Sequence, residues 1–432
     1  MSETATFEPK IVAYVCNWCT YLGADLAGTT RLEYPPNVRI VRLPCTGRID
    51  FNLIVKAFEI GADAVLVSGC HPGDCHYTAG NYHARRRWIL FRELLDTMGF
   101  DLRRIHFTWI SAAEGRKWQQ VVTEITEQTR KLGPYTDLYA AGAFKDVPPP
   151  VSNRNGLKSF AAETELREHC RKLLAEGAVK VVIGYGAGGP VVVTKPEDAD
   201  RLVWNNRCYP NLTAYLKRKE IKALGKPAVV VKPCDEKSLV VLEKESQLER
   251  KDIHVIGMGC EGVGEPKCAW CQARTPRFAD VSLGQPVGPE PPSSPSPNRF
   301  AALMAMSPAE RMAFWASEFE RCVKCYACRQ VCPMCYCERC IVERNRPIEI
   351  DPAPSAKGNF AWQIARAFHL AGRCVGCGEC SRACPAGIDL ALLNISLHIA
   401  AQKNFGFEAG VDPKADAVIG SYALQDKEDF IR

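Results

Sequence analysis

Two cysteine runs share one spacing: Cys322-x2-Cys325-x2-Cys328-x3-Cys332-Pro333 and Cys374-x2-Cys377-x2-Cys380-x3-Cys384-Pro385. Thiolates at that spacing hold [4Fe–4S] cubes, each run giving three sulfurs to one cube and its fourth to the other. Cys322, Cys325, Cys328 and Cys384 then form one ligand set, and Cys374, Cys377, Cys380 and Cys332 the second. The chemistry implied is one-electron transfer. A structural zinc site takes four ligands per ion, usually as two pairs, and leaves the third cysteine of each run unexplained. Cysteines kept for packing or for disulfides would not repeat a four-point spacing, each time followed by proline.

The rest of the composition agrees. The 432 residues hold 22 cysteines, clustered rather than scattered. Disulfide scaffolds of this density are usually short secreted chains. The start, Met1-Ser2-Glu3-Thr4-Ala5-Thr6, lacks the apolar stretch of a secretory signal. No apolar run is long enough to span a membrane. The expected setting is a reducing cytoplasm. With 55 basic and 49 acidic residues the net charge is +6, a mild excess. The run Arg85-Arg86-Arg87 reads as a solvated face or a docking patch, and no nucleic-acid partner is expected.

Residues 9–144 must position a further group of thiols. Strand-like runs at Ile11–Cys16, Val38–Pro44, Ala64–Ser68 and Arg104–Ile110 alternate with helix-like stretches near Phe51–Ile60, Arg85–Met98 and Glu114–Lys131. This pattern predicts an α/β domain with a mostly parallel sheet covered on both faces. Right-handed crossovers bring the strand C-termini to one edge. Cys16, Cys45 and Cys70 close three of the strands, and Cys19 and Cys75 follow within a few residues. Five thiols thus meet where open α/β proteins build their sites. A cluster needs four, so one is spare, and the sequence leaves open which. His71, His76 and His83 lie close by as packing or hydrogen-bonding groups, with a histidine ligand as the alternative.

The segments C-N-W-C-T-Y-L-G-A-D (Cys16 to Asp25), C-T-G-R-I-D (Cys45 to Asp50) and G-C-H-P-G-D-C-H-Y-T-A-G-N (Gly69 to Asn81) resemble the small delta subunit of methyl-viologen-reducing hydrogenases. The resemblance covers roughly residues 9–135. It implies one [2Fe–2S] cluster with ligands drawn from Cys16, Cys19, Cys45, Cys70 and Cys75. It also implies electron exchange between a hydrogenase or formate dehydrogenase and the flavin-containing A subunit of heterodisulfide reductase.

Residues 157–283 form a second α/β iron–sulfur domain in this reading. Strands at Lys180–Ile183, Pro227–Val231 and Ile253–Ile256 lead into Gly184–Pro190, Lys232–Lys237 and Gly257–Gly264. The glycines Gly184, Gly186, Gly188 and Gly189, with Lys232, are candidate cofactor-binding residues. Their spacing is not that of a dinucleotide fingerprint, and a plain tight turn is an equal reading. Cys234 and Cys260 follow strands and Cys268-x2-Cys271 adds a pair, together one coordination set for a third [4Fe–4S] cluster, with zinc as the alternative. Cys170 and Cys208 stand apart as packing residues. The K-P-C-D motif from Lys232 and the run K-C-A-W-C-Q-A-R-T-P-R-F-A-D-V-S-L-G from Lys267 resemble a shortened beta subunit of the deazaflavin-reducing hydrogenases and related formate dehydrogenases. That resemblance implies a [4Fe–4S] cluster beside FAD.

A Pro/Ser-rich linker over 284–300 cannot form a core. Residues 301–432 follow as a helical dicluster, ferredoxin-like domain. Ser307-Pro308-Ala309-Glu310 is a helix start, with a helix to about Arg321 and others over Ala361–Leu370 and Ile388–Gln402. The long connection between the cysteine runs resembles the dicluster domains of heterodisulfide-reductase C subunits and succinate-dehydrogenase-like proteins. Cys335, Cys337 and Cys340 exceed the eight thiols required. They could cap a fourth cluster with one further ligand such as Cys208 or the thiol left over in the first domain, pack beside a redox centre, or form a zinc knuckle.

No Ser–His–Asp arrangement, phosphate-binding loop or H-E-x-x-H signature is present. The expectation is an electron-transfer subunit rather than a catalytic one. It would join a flavin-containing heterodisulfide-reductase-like subunit to a hydrogenase, formate dehydrogenase or other oxidoreductase, in a complex of the electron-bifurcating kind. The alternative is an oxidoreductase component with its own flavin or nucleotide site in the middle domain. A zinc-rich scaffold or RNA-binding protein would be the non-redox class.

Overall fold

Near-continuous apolar segments build the first sheet. In the computed structural model, which describes residues 7–136, 156–269, 271, 273–284, 298–344 and 346–432, β1 (Ile11–Cys16), β2 (Val38–Leu43), β3 (Ala64–Gly69) and β4 (Ile105–Trp109) lie parallel in the order β2-β1-β3-β4. The crossovers carry α1 (Thr20–Thr29), α2 (Asn52–Glu59), α3 (Gly80–Thr97) and α4 (Gly115–Leu132). β3 is buried at every position because helices cover both faces, so its sequence does not alternate. Alternate strand residues feed two cores. Ile11, Ala13, Val15 and Leu66 pack with Trp118, Val121 and Ile125 of α4. Tyr14, Val65, Val67 and Phe107 face α2 and α3. The strands fall where the sequence places them. α1, with two glycines and two threonines in ten residues, carries too weak a helix signal to be expected.

The second sheet is mixed. β5 (Val181–Gly186), β6 (Gly189–Val193), β7 (Pro227–Val231), β8 (His254–Met258) and β9 (Val281–Leu283) have the order β6-β5-β7-β8-β9, parallel except for the antiparallel β5–β6 hairpin. Helices α5 (Glu163–Ala175), α6 (Lys219–Ala223) and α7 (Pro233–Lys244) belong to this unit. The glycine-rich run Gly184–Pro190 is therefore strand, turn and strand. Gly186 pairs with Gly189, and Gly184 sits where a Cβ would meet Leu202 at 2.3 Å. Of the expected linker, residues 285–297 lie outside the described residues.

The last region is helical: α8 (Asn298–Met304), α9 (Pro308–Glu320), α10 (Ala327–Gln330), α11 (Ala356–His369), α12 (Glu379–Arg382) and α13 (Leu390–Phe405). α9 starts at the expected capping box, in which Glu310 N–H donates to Ser307 Oγ and Ser307 N–H donates to the Glu310 carboxylate. Packing joins this region to the first domain. Phe368 of α11 meets Phe51 and Phe91 edge to face at 5.3 and 5.5 Å, and Trp315 Nε1 donates to Thr97 O. One hydrophobic core runs through both.

Residues 421–432 return to the first domain as a strap. Ile431 bridges Phe107 of β4 in parallel, Arg432 N donates to Phe107 O at 3.0 Å, and Tyr422 stacks on Tyr82 at 5.0 Å. Arg86 holds both carboxylate oxygens of Asp426, at 2.7 and 2.8 Å, while Arg85 reaches Glu428 and the carbonyls of Ala423 and Leu424. This corrects the reading of Arg85-Arg86-Arg87 as a solvated face. Arg85 and Arg86 are buried under the strap, and Arg87 donates to Gly47 O. Among the described residues, no helix is long and apolar enough to cross a membrane.

Candidate functional site

The C-terminal edge of the first sheet gathers the five thiols the sequence singles out. Cys16 closes β1, Cys70 follows β3, and Cys45 accepts the Gly47 N–H at 3.3 Å to start a short turn. Cys16 and Cys70 Sγ are 3.6 Å apart, and Cys45 and Cys75 Sγ 3.8 Å. Two thiolates on one tetrahedral metal, bound at about 2.3 Å each, stand about 3.8 Å apart. Each pair thus has the spacing of two sulfurs on one ion. Cys19, half-buried, lies against Cys70 on the outer side. Backbone N–H groups of Trp18, Cys19 and Thr46 point at Cys16 Sγ. Hydrogen bonding to Cys70 lowers the Cys16 thiol to about 6, and the same bond raises Cys70. Gly80 and Gly47 approach closely here: a Cβ on Gly47 would stand 2.8 Å from Gly80 Cα, and one on Gly80 2.4 Å from Cys45 Sγ. The buried Thr46 Oγ1 has no hydrogen-bond partner. Buried sulfur pairs, inward N–H donors and glycine clearance suit a thiolate-bound cluster.

The histidines turn elsewhere. His71 Nε2 meets Glu114 at 2.7 Å, His76 stacks on Trp18 at 3.8 Å, and His83 sits edge-on to Tyr422.

The middle unit brings Cys234, Cys260, Cys268 and Cys271 around one cavity, which Lys232, Lys267 and Arg274 also line. Cys234 and Cys271 share a hydrogen bond that lowers Cys271 to about 6 and raises Cys234. Lys232 is fully buried on Tyr185 Oη at 2.6 Å, Pro210 O at 2.9 Å and Asp235 at 2.5 Å. The candidate cofactor glycines Gly184, Gly186, Gly188 and Gly189 belong to the β5–β6 hairpin and do not lead into a helix N-terminus. A phosphate-cradling role departs from this geometry. The hairpin has no helix end to offer, and the Lys232 amine is already committed. Cys170 is core, and Cys208 Sγ accepts the Asn205 N–H within the middle unit.

The two terminal runs have matching backbones. In the first, Lys324 and Tyr326 flank Cys325 with φ of 56° and 57°; in the second, Gly376 and Gly378 flank Cys377 with φ of 70° and 73°. Left-handed residues set among right-handed ones turn successive N–H groups inward, a shape that receives anions, iron–sulfur groups included. Each loop then enters a short helix, α10 or α12, and the two helices pack together. The thiols of the two runs are electrostatic neighbours of one another. Cys380, Cys322 and Cys384 all act on Cys328, which burial raises to about 11. Cys332 acts on Cys374, Cys377 and Cys380. Cys325 is exposed. The extra thiols have three settings. Cys335 is hydrogen-bonded to Cys332 beneath Lys217, Cys337 is exposed, and Cys340 heads a capping box with Glu343.

Several supporting residues carry no sequence signal by spacing. Gln363 Nε2 donates to Cys322 Sγ at 3.5 Å and Asn394 Nδ2 to Cys380 Sγ at 3.6 Å. Arg366 is buried, its Nη2 3.4 Å from Cys328 O, and its Nε lacks a hydrogen-bond partner. Its charge acts on Cys328, Cys332, Cys335 and Cys380 together. A single arginine inside the apolar stretch of α11 was the one clue available.

Residues 11–133 match the family described as methyl-viologen-reducing hydrogenase, delta subunit, and residues 318–388 match the 4Fe-4S dicluster domain, which spans both terminal runs. The iron–sulfur D subunit of the F420-non-reducing hydrogenase vhc of Methanococcus voltae is 51% identical over 130 residues, which is 30% of this chain and 90% of that protein. The iron–sulfur D subunit of the F420-non-reducing hydrogenase of Archaeoglobus profundus is 51% identical over 135 residues, 31% of this chain and 97% of that protein. The A subunit of the ferredoxin:CoB-CoM heterodisulfide reductase of Methanosarcina mazei is 41% identical over 126 residues, 29% of this chain and 16% of that protein. The chain thus has iron–sulfur, electron-transport character, with a ferredoxin-like dicluster region.

Proposed function

Through its first domain the chain belongs to the methyl-viologen-reducing hydrogenase delta-subunit family, and from that premise we propose that it is a non-catalytic iron–sulfur subunit. It links a flavin-containing heterodisulfide-reductase-like subunit to a hydrogenase, formate dehydrogenase or related oxidoreductase, in a cytoplasmic complex of the electron-bifurcating kind. The observation that carries this reading is the packing of a delta-type thiol site and a dicluster region on one shared core. The same domain type occurs at similar length in hydrogenase iron–sulfur subunits and within the A subunit of a heterodisulfide reductase, which supports partners of both kinds.

Four functional units are proposed: residues 9–144 for a [2Fe–2S] group, 157–283 for a [4Fe–4S] group, 284–300 as linker, and 301–432 for two further [4Fe–4S] groups. Such groups, when bound, carry electrons singly at potentials that surrounding charge, hydrogen bonds and exposure set. In the first domain Cys16 and Cys70 would serve one iron and Cys45 and Cys75 the other, leaving Cys19 spare. The chain's own part is to bury Cys16, Cys45, Cys70 and Cys75 and to donate hydrogen bonds, from backbone N–H groups to Cys16 and from Gln363 and Asn394 to Cys322 and Cys380.

Anaerobic co-purification from the native host, with iron, sulfide and flavin analysis and activity assays, tests the proposal. The isolated chain should hold iron and sulfide without flavin and should not turn over hydrogen, formate or a disulfide. The assembled complex should do so. Turnover of a native substrate by the chain alone, or recovery only as a free monomer, would defeat it.

A further inference from the structure

We infer that Lys267 is a positioning residue joining the middle thiol set to the Cys332, Cys374, Cys377 and Cys380 set, so that one electron passes directly between the groups these sets hold. The inference rests on the iron–sulfur reading above. Lys267 is 8% exposed, and its Nζ has no hydrogen-bond partner. Asp235 Oδ1 stands 3.6 Å away, and the same carboxylate is already held by Lys232. A buried ammonium has three donors and is costly to leave unsatisfied. It lines the cavity of Cys234, Cys260, Cys268 and Cys271, and Cys377 and Glu379 lie within its electrostatic reach. An anionic sulfur-rich group in that cavity supplies the acceptors Lys267 lacks.

The junction is fixed by independent contacts. Glu379, two residues past Cys377, accepts the Asn211 N–H at 3.0 Å. Lys217 Nζ donates to the carbonyls of Cys332 and Cys335 at 2.6 and 2.8 Å. Val241 and Leu242 of α7 pack in one cluster with Cys332, Met334 and Cys374. The middle unit is thereby held on the Cys332 side of the helical region, and Glu265, two residues before Lys267, stands 3.9 Å from Arg382 Nη1 of α12.

A fixed positive charge favours the reduced, more negative state of any group beside it, and weak screening in the interior lets one cation serve two neighbours. In the transfer one electron leaves the reduced group of one set, which is oxidised by one unit, and reduces the other by one unit. No bond forms or breaks, and Lys267 keeps its proton. Arg366 holds the corresponding place between the two dicluster sets. Two buried cations then mark two successive junctions.

The test is a redox titration of the anaerobically purified full chain with dithionite, followed by electron paramagnetic resonance. Lys267→Met should lower the midpoint potentials of the middle group and the Cys377 group together, leave the Cys322 group unchanged, and keep iron and sulfide content. Lys267→Arg should restore both potentials toward wild type. Arg366→Met should shift the two dicluster groups and spare the middle one. A shift confined to the middle group, or no shift in either, overturns the inference. If Lys267→Met loses iron, the wild-type protein decides: microwave saturation of the middle group's signal should change as the Cys377 group is reduced, and independent saturation overturns the inference. Wild-type protein without acid-labile sulfide would refute the iron–sulfur reading itself, a separate failure.

Discussion

Gly80 opens α3 beneath the first thiol set, where an added Cβ would stand 2.4 Å from Cys45 Sγ and 3.4 Å from Cys75 Sγ. Both sulfurs are buried, so they cannot simply swing into solvent. Gly80→Ala should therefore cost most of the signal of the [2Fe–2S] group proposed for the first domain while the dicluster signals persist, read by electron paramagnetic resonance and sulfide content. A second residue sets an acid limit. Burial, together with the charges of Arg432 and Arg92, lowers His106 on β4 from 6.5 to about 3, and its Nε2 has no hydrogen-bond partner. Below about pH 6.5 the unfolded chain takes a proton that the folded chain refuses until about pH 3. Stability from this group is thus full above 6.5 and lost as pH falls through that window, by about 1.4 kcal/mol per pH unit. His106→Phe should flatten the fall of the thermal midpoint between pH 7 and pH 5.5, and an unchanged slope would exclude this cause.

Among the elements, α9 shows how a local rule reaches the core. Its capping box satisfies two backbone donors at the end where Pro308 and Met312 crowd Gly99, whose φ is +81°. Ser307→Ala should lower stability by about 1 kcal/mol in chemical unfolding of the full chain. The box was legible because serine, proline and glutamate occupy fixed places in sequence. The strands were legible too, as were the gathering of Cys16, Cys45 and Cys70 at one edge and the thiol spacing of the terminal runs. Other features had no local mark. Gly376 and Gly378 advertise the left-handed turns of the second run, but Lys324 and Tyr326 conceal the same turns in the first. Lys324 holds its strained backbone, at a cost of about 1–3 kcal/mol, by donating to the carbonyls of Asp351 and Gly358 at 2.9 and 2.8 Å. The hairpin at Gly184–Pro190 was equally hidden, because glycine-rich segments serve turns and phosphate loops alike.

At the scale of the whole molecule, the three regions of the sequence are not independent bodies. The first sheet and the helical region share a core, and one enclosed ion pair, Arg86–Asp426, seals the strap over α3 beside the more exposed Arg85–Glu428 pair. Arg86 and Asp426 are nearly enclosed, so removing one partner strands a buried charge, at about 3–5 kcal/mol. Arg86→Leu should release residues 421–432, seen as faster amide exchange in the strap and β4 and a lower thermal midpoint. Unchanged exchange in β4 would show that the strap is held by other means. The strap also imposes a schedule. Thr108 of β4 donates to an oxygen of a residue 324 positions later. At about 5–20 residues per second, synthesis needs on the order of tens of seconds to cover that interval. For that time the β4 edge and the arginines of α3 await their covering in a nascent chain whose first five cysteines have already been made. Tyr422 of the strap meets Tyr82 and His83, and His83 lines the cavity that Cys45 opens into, so the flank of this thiol set is completed only by residues made late in synthesis.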